Sequence, residues 1–217
     1  MRHFSVKKIP ANAWLPLVLI AITHMSVYWI ALYINAGRPG HDLTTALDRL
    51  VPFLPLSAIP YVLAFPFWIF DFLYAATLEN RHFFRVFLAV ELTHLSAFCI
   101  YLLFPTTLTW PDSSASVPFG WMARLIYSLD QPTNLLPSMH CYVSWILWLS
   151  VRGRPEVPRG YRRFCLVFSL FICLSTQTLK QHYLADLISG LALAELFFWI
   201  SGRGRMAEKV QRFFRKT

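Results

Sequence analysis

Two histidines with polar neighbours carry the strongest chemical signal in this sequence. His140 ends the run Pro-Ser-Met-His at 137–140, and His182 is followed four residues later by Asp186. A separation of four places His182 and Asp186 on one face of a helix, where the carboxylate can hold the imidazole in one tautomer and raise its basicity. A second histidine, a hydroxyl and a lysine near this pair would form a site suited to an oxyanion.

These groups match the needs of phosphate-ester cleavage, which are a nucleophile, an acid for the leaving oxygen and donors for the phosphoryl oxygens. We predict that His182, oriented by Asp186, attacks phosphorus and that His140 protonates the leaving group. The predicted phosphate-binding residues, through side chains or backbone amides, are Ser138, Met139, Ser175, Thr176 and Lys180. No cluster of carboxylates suggests a magnesium site, so the expected reaction uses neither a metal nor another cofactor.

Each of these residues also has a simpler interpretation. A histidine at a membrane interface can be a polar rim residue, and a His–Asp pair can simply stabilise a helix. Lys180 can extend along apolar surface toward the headgroups, and Ser138 can cap the helix that follows it. The catalytic interpretation therefore depends on whether the fold brings the residues together.

The composition is that of a membrane protein. Of the 217 residues, 56% are hydrophobic, 17% are aromatic and only 14% are charged. A helix crosses a bilayer with about 20 apolar residues. We expect an all-α integral membrane protein, a single domain with an N-terminal segment over 1–12, a six-helix bundle over 13–200 and a basic tail over 201–217. The six predicted transmembrane segments are 13–34, 56–78, 83–104, 139–151, 164–179 and 183–200.

Basic residues alternate between the connections of this bundle. Sixteen of the 20 Lys and Arg residues lie in the N-terminal segment, the second-to-third and fourth-to-fifth connections and the C-terminal tail. The positive-inside rule places these parts, including both termini, in the cytoplasm. His140 and His182 then begin helices that enter from the opposite side, so both motifs lie at one extracytoplasmic face.

The net charge of +9 fits contact with anionic lipid better than contact with nucleic acid, because the basic residues follow the membrane topology. We therefore predict a multi-pass protein of a bacterial inner (plasma) membrane, with the bilayer and a lipid as partners and without a nucleic-acid partner. The segment 119–129 is expected to be an interfacial helix or a loop packed on the bundle. The four cysteines are expected to be buried free thiols.

Four ionisable residues fall inside the predicted spans, where such groups are functional candidates by default. Glu91 and His94 resemble half of a di-iron helix motif, but the second half is missing from the sequence. For Glu91 and Glu195 we expect interhelical hydrogen bonds instead, and for His24 a packing role. The four residues are Asp71, Glu91, His94 and Glu195.

The two histidine motifs resemble those of a known family. Residues 137–140 look like the second signature of the type 2 phosphatidic acid phosphatase (PAP2) superfamily, and residues 175–186 look like the third. The combination is specific, whereas either motif alone is a weak signal. The resemblance implies a six-helix bundle with a PAP2/haloperoxidase-like core, a phosphohistidine intermediate on His182, and His140 as the acid–base partner.

The sequence departs from the family pattern at the phosphate clamp. The usual first signature carries a Lys and an Arg-Pro pair, whereas the loop 104–111 reads Phe-Pro-Thr-Thr-Leu-Thr-Trp-Pro and has no basic residue. The Arg that normally follows the serine of the third signature is Thr176, which leaves Lys180 to supply the charge. A phosphodiester carries less charge than a monoester and would need less clamping.

Other residues near the motifs resemble the subgroup that includes inositol phosphorylceramide synthase, whose members can move a phosphorylated headgroup between lipids. The likeness rests on Phe-Pro followed by Trp110, and on Asp130 and Asn134 before the Ser-x-His. It implies headgroup contacts from these three residues, although Asp130 and Asn134 could equally form turns. The leading hypothesis is a lipid phosphatase or phosphotransferase acting on a phospholipid or prenyl phosphate. Headgroup transfer is the alternative, and a lipid transporter or a metal-binding site are the rivals from other classes.

Overall fold

The computed structural model describes residues 8–112 and 118–215, and the parts of our predictions that fall on 1–7, 113–117 and 216–217 lie outside them. Two short parallel strands, β1 (His41–Asp42) and β2 (Thr106–Thr107), pair with His41 opposite Thr106. Otherwise the described chain is mostly helical. Its α-helices are α1 (Trp14–Asn35), α2 (Ala46–Leu50), α3 (Ala58–Ala76), α4 (Asn80–Leu103), α5 (Gly120–Leu129), α6 (Met139–Val151), α7 (Arg159–Thr178), α8 (Leu184–Ser201) and α9 (Met206–Phe214).

All six predicted apolar segments are helical, as α1, α3, α4, α6, α7 and α8. Among the described helices, α1, α3, α4 and α8 are long and apolar enough to cross a membrane. Helix α6 has only 13 residues. Helix α7 begins five residues before the predicted start of its segment, and this added part is rich in arginine. Four spans are therefore supported by length and composition, while six crossings remain a prediction.

Helix α6 lies at the centre of the bundle, where it packs against α3, α4, α7 and α8. Ten of its 13 residues are buried, among them Tyr142, Ile146 and Leu147, which have no exposed surface. A helix covered on all sides can be apolar all round. The central position of α6 thus explains why its sequence shows no polar face, and it carries the first histidine motif into the middle of the protein.

Hydrogen bonds join several polar side chains of neighbouring helices inside the bundle, as predicted for Glu91 and Glu195. Glu91 accepts from Thr23 at 3.0 Å, and Nδ1 of His24 lies 3.2 Å from Nε2 of His94, so both contacts join α1 to α4. A polar group away from water needs such a partner within the protein. The remaining pairs are Asp71 with Tyr161 and Glu195 with Trp145.

The predicted segment 119–129 forms helix α5, which begins at Gly120. Ala123 and Ile126 pack against Ala58 and Tyr61 at the start of α3. The opposite face, which includes Leu125, is exposed. The structure therefore shows a helix that rests on the bundle along one side, which combines the two alternatives considered from the sequence.

The prediction of buried thiols is wrong for Cys99, which is exposed, and correct for the other three cysteines. The reason is the helical register of α4. Its buried face contains His94, Ala97 and Tyr101, and Cys99 falls on the opposite side because successive residues are about 100° apart.

Part of the predicted basic tail is also ordered as helix α9. Phe214 of this helix packs against Phe84 and Phe87 of α4, with ring centroids 5.7 and 5.5 Å apart. Glu208 forms a salt bridge of 3.0 Å with Arg81 at the other end of α9. These contacts attach the tail to the start of α4, far along the chain from both histidine motifs.

Gly190 permits close contact between α8 and the start of α6. A Cβ atom at this position would lie 3.0 Å from the carbonyl oxygen of Ser138 and 3.3 Å from Cβ of Cys141. Both of those residues belong to the first histidine motif or follow it directly. The missing side chain of Gly190 therefore sets how near the two motifs can come.

Replacing Gly190 by Val should push α8 away from α6 and destabilise the fold by about 1–3 kcal/mol, with a smaller effect for Ala. Gly160→Ala is the matched control, because a Cβ atom at Gly160 meets no atom within 4 Å. The midpoint of thermal unfolding in detergent measures the effect. Equal midpoints for Gly190→Val and Gly160→Ala would contradict the close-packing role.

Candidate active site

The loop between α7 and α8 carries His182 on a fixed backbone. The amides of Gln181 and His182 both donate to the carbonyl oxygen of Thr176, at 2.9 and 3.1 Å. Lys180 has a φ of 57°, in the left-handed region that residues other than glycine rarely adopt. This turn reverses the chain directly after α7 and holds His182 against the end of that helix.

Asp186 binds His182 from the first turn of α8. Its Oδ2 lies 3.3 Å from Nδ1 of His182 and accepts from the amide of Tyr183 at 2.8 Å. Because α8 begins at Leu184, His182 stands before the helix, and the pair meets through a helix cap rather than on one helical face as predicted. Asp186 has no exposed surface. With Nδ1 engaged, Nε2 is the nitrogen of His182 that is left for chemistry.

The charge of Asp186 decides the protonation behaviour of His182. Burial alone would lower the pKa of His182, because it disfavours the imidazolium form. The hydrogen bond and the negative charge of Asp186 outweigh burial, so the pKa lies above the ordinary 6.5. His182 is therefore a stronger base than a histidine in water.

The first turn of α6 brings His140 to the same region. The amide of Ser138 donates to the carbonyl oxygen of Asp186 at 3.0 Å, which joins the two motifs directly. The ring of His140 stacks on Tyr61 with centroids 4.0 Å apart and meets Trp68 at 5.1 Å. Its Nε2 atom is buried without a hydrogen-bond partner among the described residues. Such a nitrogen is costly to leave unpaired, which fits a role toward a ligand.

Both histidines line one cavity of about 430 Å³, which we call the apolar cavity. It lies between α1, α3 and α5, and its walls include Val62 and Phe65. Gln181 also lines it, and its Nε2 atom is buried without a partner in the described part of the chain. Two unpartnered nitrogen atoms, on Gln181 and His140, therefore accompany His182 in this cavity.

A second cavity of about 290 Å³, the polar cavity, reaches His182 from another direction. It lies between α2, the segment that follows β2 and the loop before α8. Asp48, Arg49 and Lys180 line it together with His182, and we name it after these three charged side chains. His182 thus lies between a largely apolar space and a space with two cationic side chains.

Lys180 is held by the backbone of the segment after β1. Its Nζ donates to the carbonyl oxygens of Asp48 and Val51 at 2.7 and 2.6 Å. An ammonium has three hydrogens, so one remains for another acceptor. Burial lowers the pKa of Lys180, while the charge of Asp48 acts in the opposite direction. The predicted phosphate contact from Lys180 therefore competes with a structural role.

The other predicted phosphate-binding residues differ in position. Ser138 caps α6 by accepting from the amide three residues later at 3.4 Å, which is the simpler alternative considered from the sequence. Met139 lines the apolar cavity. Ser175 and Thr176 each donate their hydroxyl hydrogen to a carbonyl oxygen three residues earlier in α7, at 2.7 and 2.8 Å. Such bonds are typical of hydroxyls within helices, and in this arrangement they engage both hydroxyl hydrogens. The phosphate contact of these two residues stays a prediction.

The predicted headgroup residues also differ in their contacts. Asp130 lines the apolar cavity, where its carboxylate accepts from the hydroxyls of Tyr28 and Tyr61. Asn134 lines the same cavity, but it is buried, has a φ of 56° and accepts from Asn35 at 3.0 Å. Its amide oxygen therefore bonds to α1 in this arrangement, and its contact with a headgroup stays a prediction.

Trp110 lines neither cavity. Its ring stacks on Tyr127 with centroids 4.4 Å apart, and it packs beside the small cluster that contains Leu108, Leu135 and Tyr183. Trp110 therefore packs against the loop, and its contact with a headgroup stays a prediction.

The sequence analysis missed the segment from β1 to the end of α2. Asp48 accepts from the amide of Leu184 at 2.7 Å, and Tyr183 donates its hydroxyl to Asp42 at 2.7 Å. Two carboxylates from this segment thus bind the residues directly after His182. The available signal was the spacing of Thr45 and Asp48, which form a capping box at the start of α2.

Metal ligation has little support in the side chains. Within residues 8–112 and 118–215, no group of three or more His, Cys, Asp or Glu side chains is arranged to hold a metal ion. His182 and His140 remain the candidates for nucleophilic attack and proton transfer.

Comparison with known proteins gives a match to one family. The sequence model of the PAP2 superfamily matches residues 46–200, a range that starts with α2 and includes both histidine motifs. Neither a curated protein nor a solved structure matches the chain.

Replacing Asp186 by Asn should lower the pKa of His182, because the raising charge is lost and the lowering effect of burial remains. Nitrogen-15 NMR of labelled histidine in detergent micelles measures this pKa as a function of pH. Glu195→Gln, which removes a carboxylate bound to Trp145 instead, should leave it unchanged. An unaltered pKa in Asp186→Asn would contradict the electrostatic role of Asp186.

Proposed function

Because the chain belongs to the PAP2 superfamily of phosphatase-type enzymes, we propose that it cleaves or transfers the phosphoryl group of a lipid through a phosphohistidine on His182. The observation that carries this proposal is the contact of 3.3 Å between Nδ1 of His182 and Asp186, with His140 in the same cavity. A buried carboxylate orients one nitrogen of the nucleophile and leaves the other for phosphorus.

In the proposed first step, Nε2 of His182 attacks phosphorus and the bond from phosphorus to the leaving oxygen breaks. His140 enters this step as imidazolium and gives its proton to the leaving oxygen. Asp186 stabilises the positive charge that the His182 ring acquires. Gln181 donates to a phosphoryl oxygen, which would give its unpartnered Nε2 atom an acceptor.

In the second step, the neutral His140 removes a proton from the acceptor hydroxyl, whose oxygen attacks phosphorus. The bond from phosphorus to Nε2 of His182 breaks, and both histidines return to their starting states. Water as the acceptor gives a phosphatase, whereas the hydroxyl of a second lipid gives a transferase. His140 therefore acts as the acid in the first step and as the base in the second.

The apolar cavity supports a lipid as the substrate. Met25 and Trp29 of α1 and Val62 of α3 line it, and all three are exposed on the outer surface of the bundle. The hydrocarbon part of a phospholipid or prenyl phosphate would reach the histidines between these helices without leaving an apolar environment.

Headgroup transfer, as in the subgroup that includes inositol phosphorylceramide synthase, is the second candidate function. It is favoured by Asp130, whose carboxylate lines the apolar cavity and is held by two tyrosine hydroxyls. A carboxylate in this place can accept from the hydroxyl of a polyol or a lipid alcohol. Purified protein offered both water and a lipid alcohol distinguishes the two, since a phosphatase releases inorganic phosphate and a transferase forms a new phospholipid.

We further propose six membrane crossings with both termini in the cytoplasm and the site at the extracytoplasmic face of a bacterial inner membrane. This proposal rests on the distribution of Lys and Arg. In a Cys99→Ser background, Ser128→Cys should react with a membrane-impermeant maleimide on intact cells, whereas Arg159→Cys should react only after permeabilisation. Both positions are exposed. The reverse labelling pattern would overturn the orientation.

Replacing His182 by Ala should abolish turnover, because the covalent intermediate cannot form. His140→Ala should slow turnover by roughly 10²–10⁴-fold and should still allow acid-labile labelling by a substrate with a good leaving group, which does not need protonation. Labelling with ³²P and phosphate release measure the two effects. Substantial turnover in His182→Ala would rule out the nucleophile.

A further inference from the structure

We propose that Arg49, on α2, is the guanidinium that binds the substrate's phosphate group in place of the basic residues missing from the first and third signatures. This inference rests on the proposed reaction at His182. Arg49 and His182 are 133 positions apart in the sequence, yet they line the same polar cavity. Arg49 lies in a segment that neither histidine motif includes.

The backbone beneath Arg49 is fixed relative to His182. Asp48 accepts from Thr45 in the capping box of α2 and, through its other oxygen, from the amide of Leu184 at 2.7 Å. Lys180 donates to the carbonyl oxygens of Asp48 and Val51, on both sides of Arg49. These contacts attach α2 to the catalytic loop on either side of His182, so a ligand at Arg49 is placed with respect to the nucleophile.

The guanidinium of Arg49 is available for a ligand. It makes no hydrogen bond or ion pair with the described residues, and its charge acts on the nearby carboxyl of Asp42. Asp42 already accepts from Thr44 and Tyr183. A planar guanidinium can bind two phosphoryl oxygens at once, which an ammonium cannot do.

Lys180 cannot fill this role alone, because two of its three hydrogens are engaged by carbonyl oxygens. Lys180 instead holds the backbone on both sides of Arg49, and its third hydrogen is left for a phosphoryl oxygen. In this arrangement the hydrocarbon part of the substrate lies in the apolar cavity, and its charged phosphoryl group lies at His182 and faces the polar cavity. An arginine here makes a dianionic phosphate an acceptable ligand despite the loop 104–111, which has no basic residue.

Replacing Arg49 by Gln should raise KM for a lipid phosphomonoester roughly 10- to 100-fold, because a bond between two charged groups is lost. The increase should be smaller for a phosphodiester, which carries less charge. Arg49→Lys should recover part of the loss through its single charge. Arg124→Gln is the matched control, since it removes a positive charge from α5 and Arg124 lines neither cavity.

A second measurement does not require turnover. Inorganic phosphate should protect His182 from modification by diethyl pyrocarbonate, detected by peptide mass spectrometry, and Arg49→Gln should need about tenfold more phosphate for half protection. Size-exclusion chromatography checks that each variant is folded. Unchanged phosphate protection in folded Arg49→Gln, or an effect equal to that of Arg124→Gln, would overturn the role of Arg49. Wild-type protein that binds phosphate but shows no turnover would instead count against the proposed reaction alone.

Discussion

The arrangement of this site depends on the buried carboxylate of Asp186. Its Oδ2 lies against both Nδ1 of His182 and the amide of Tyr183, while its backbone carbonyl accepts from the amide of Ser138. One residue therefore caps α8, orients one histidine and attaches the start of α6, which carries the other. Because Asp186 has no exposed surface, water does not screen its charge, and that charge raises the pKa of His182 despite burial.

The rest of the bundle keeps the two motifs next to each other. Helix α6 is enclosed by four other helices, and Gly190 lets α8 approach its first turn closely. Farther from the site, pairs such as Glu91 with Thr23 and Glu195 with Trp145 connect neighbouring helices. These polar contacts occur where an apolar surrounding makes an unpartnered group costly, and they are distinct from the unpartnered nitrogen atoms of His140 and Gln181 beside His182.

The segment from β1 to the end of α2 lines the site on a second side. It forms hydrogen bonds with the loop between α7 and α8. Asp48 of the segment accepts from Lys180, and Tyr183 also donates to the segment. Those contacts create the polar cavity on one side of His182, whereas α1, α3 and α5 create the apolar cavity on another. A lipid phosphate has these same two parts, a charged group and a hydrocarbon chain. The proposed substrate class follows from this match between the two cavities and the two parts of the ligand.

The sequence by itself determined the membrane class, the six helical segments, and the pairing of His182 with Asp186, because apolar length and short-range spacing are local properties. The superfamily also followed from two local motifs. Tertiary structure alone decided which side chains face His182. The hydroxyls of Ser175 and Thr176 form hydrogen bonds within α7, and Trp110 stacks on Tyr127. Arg49 lines a cavity with His182 although the two are more than 130 positions apart in the sequence. Such contacts depend on how loops dock across the bundle, and no periodicity or spacing along the chain records that docking.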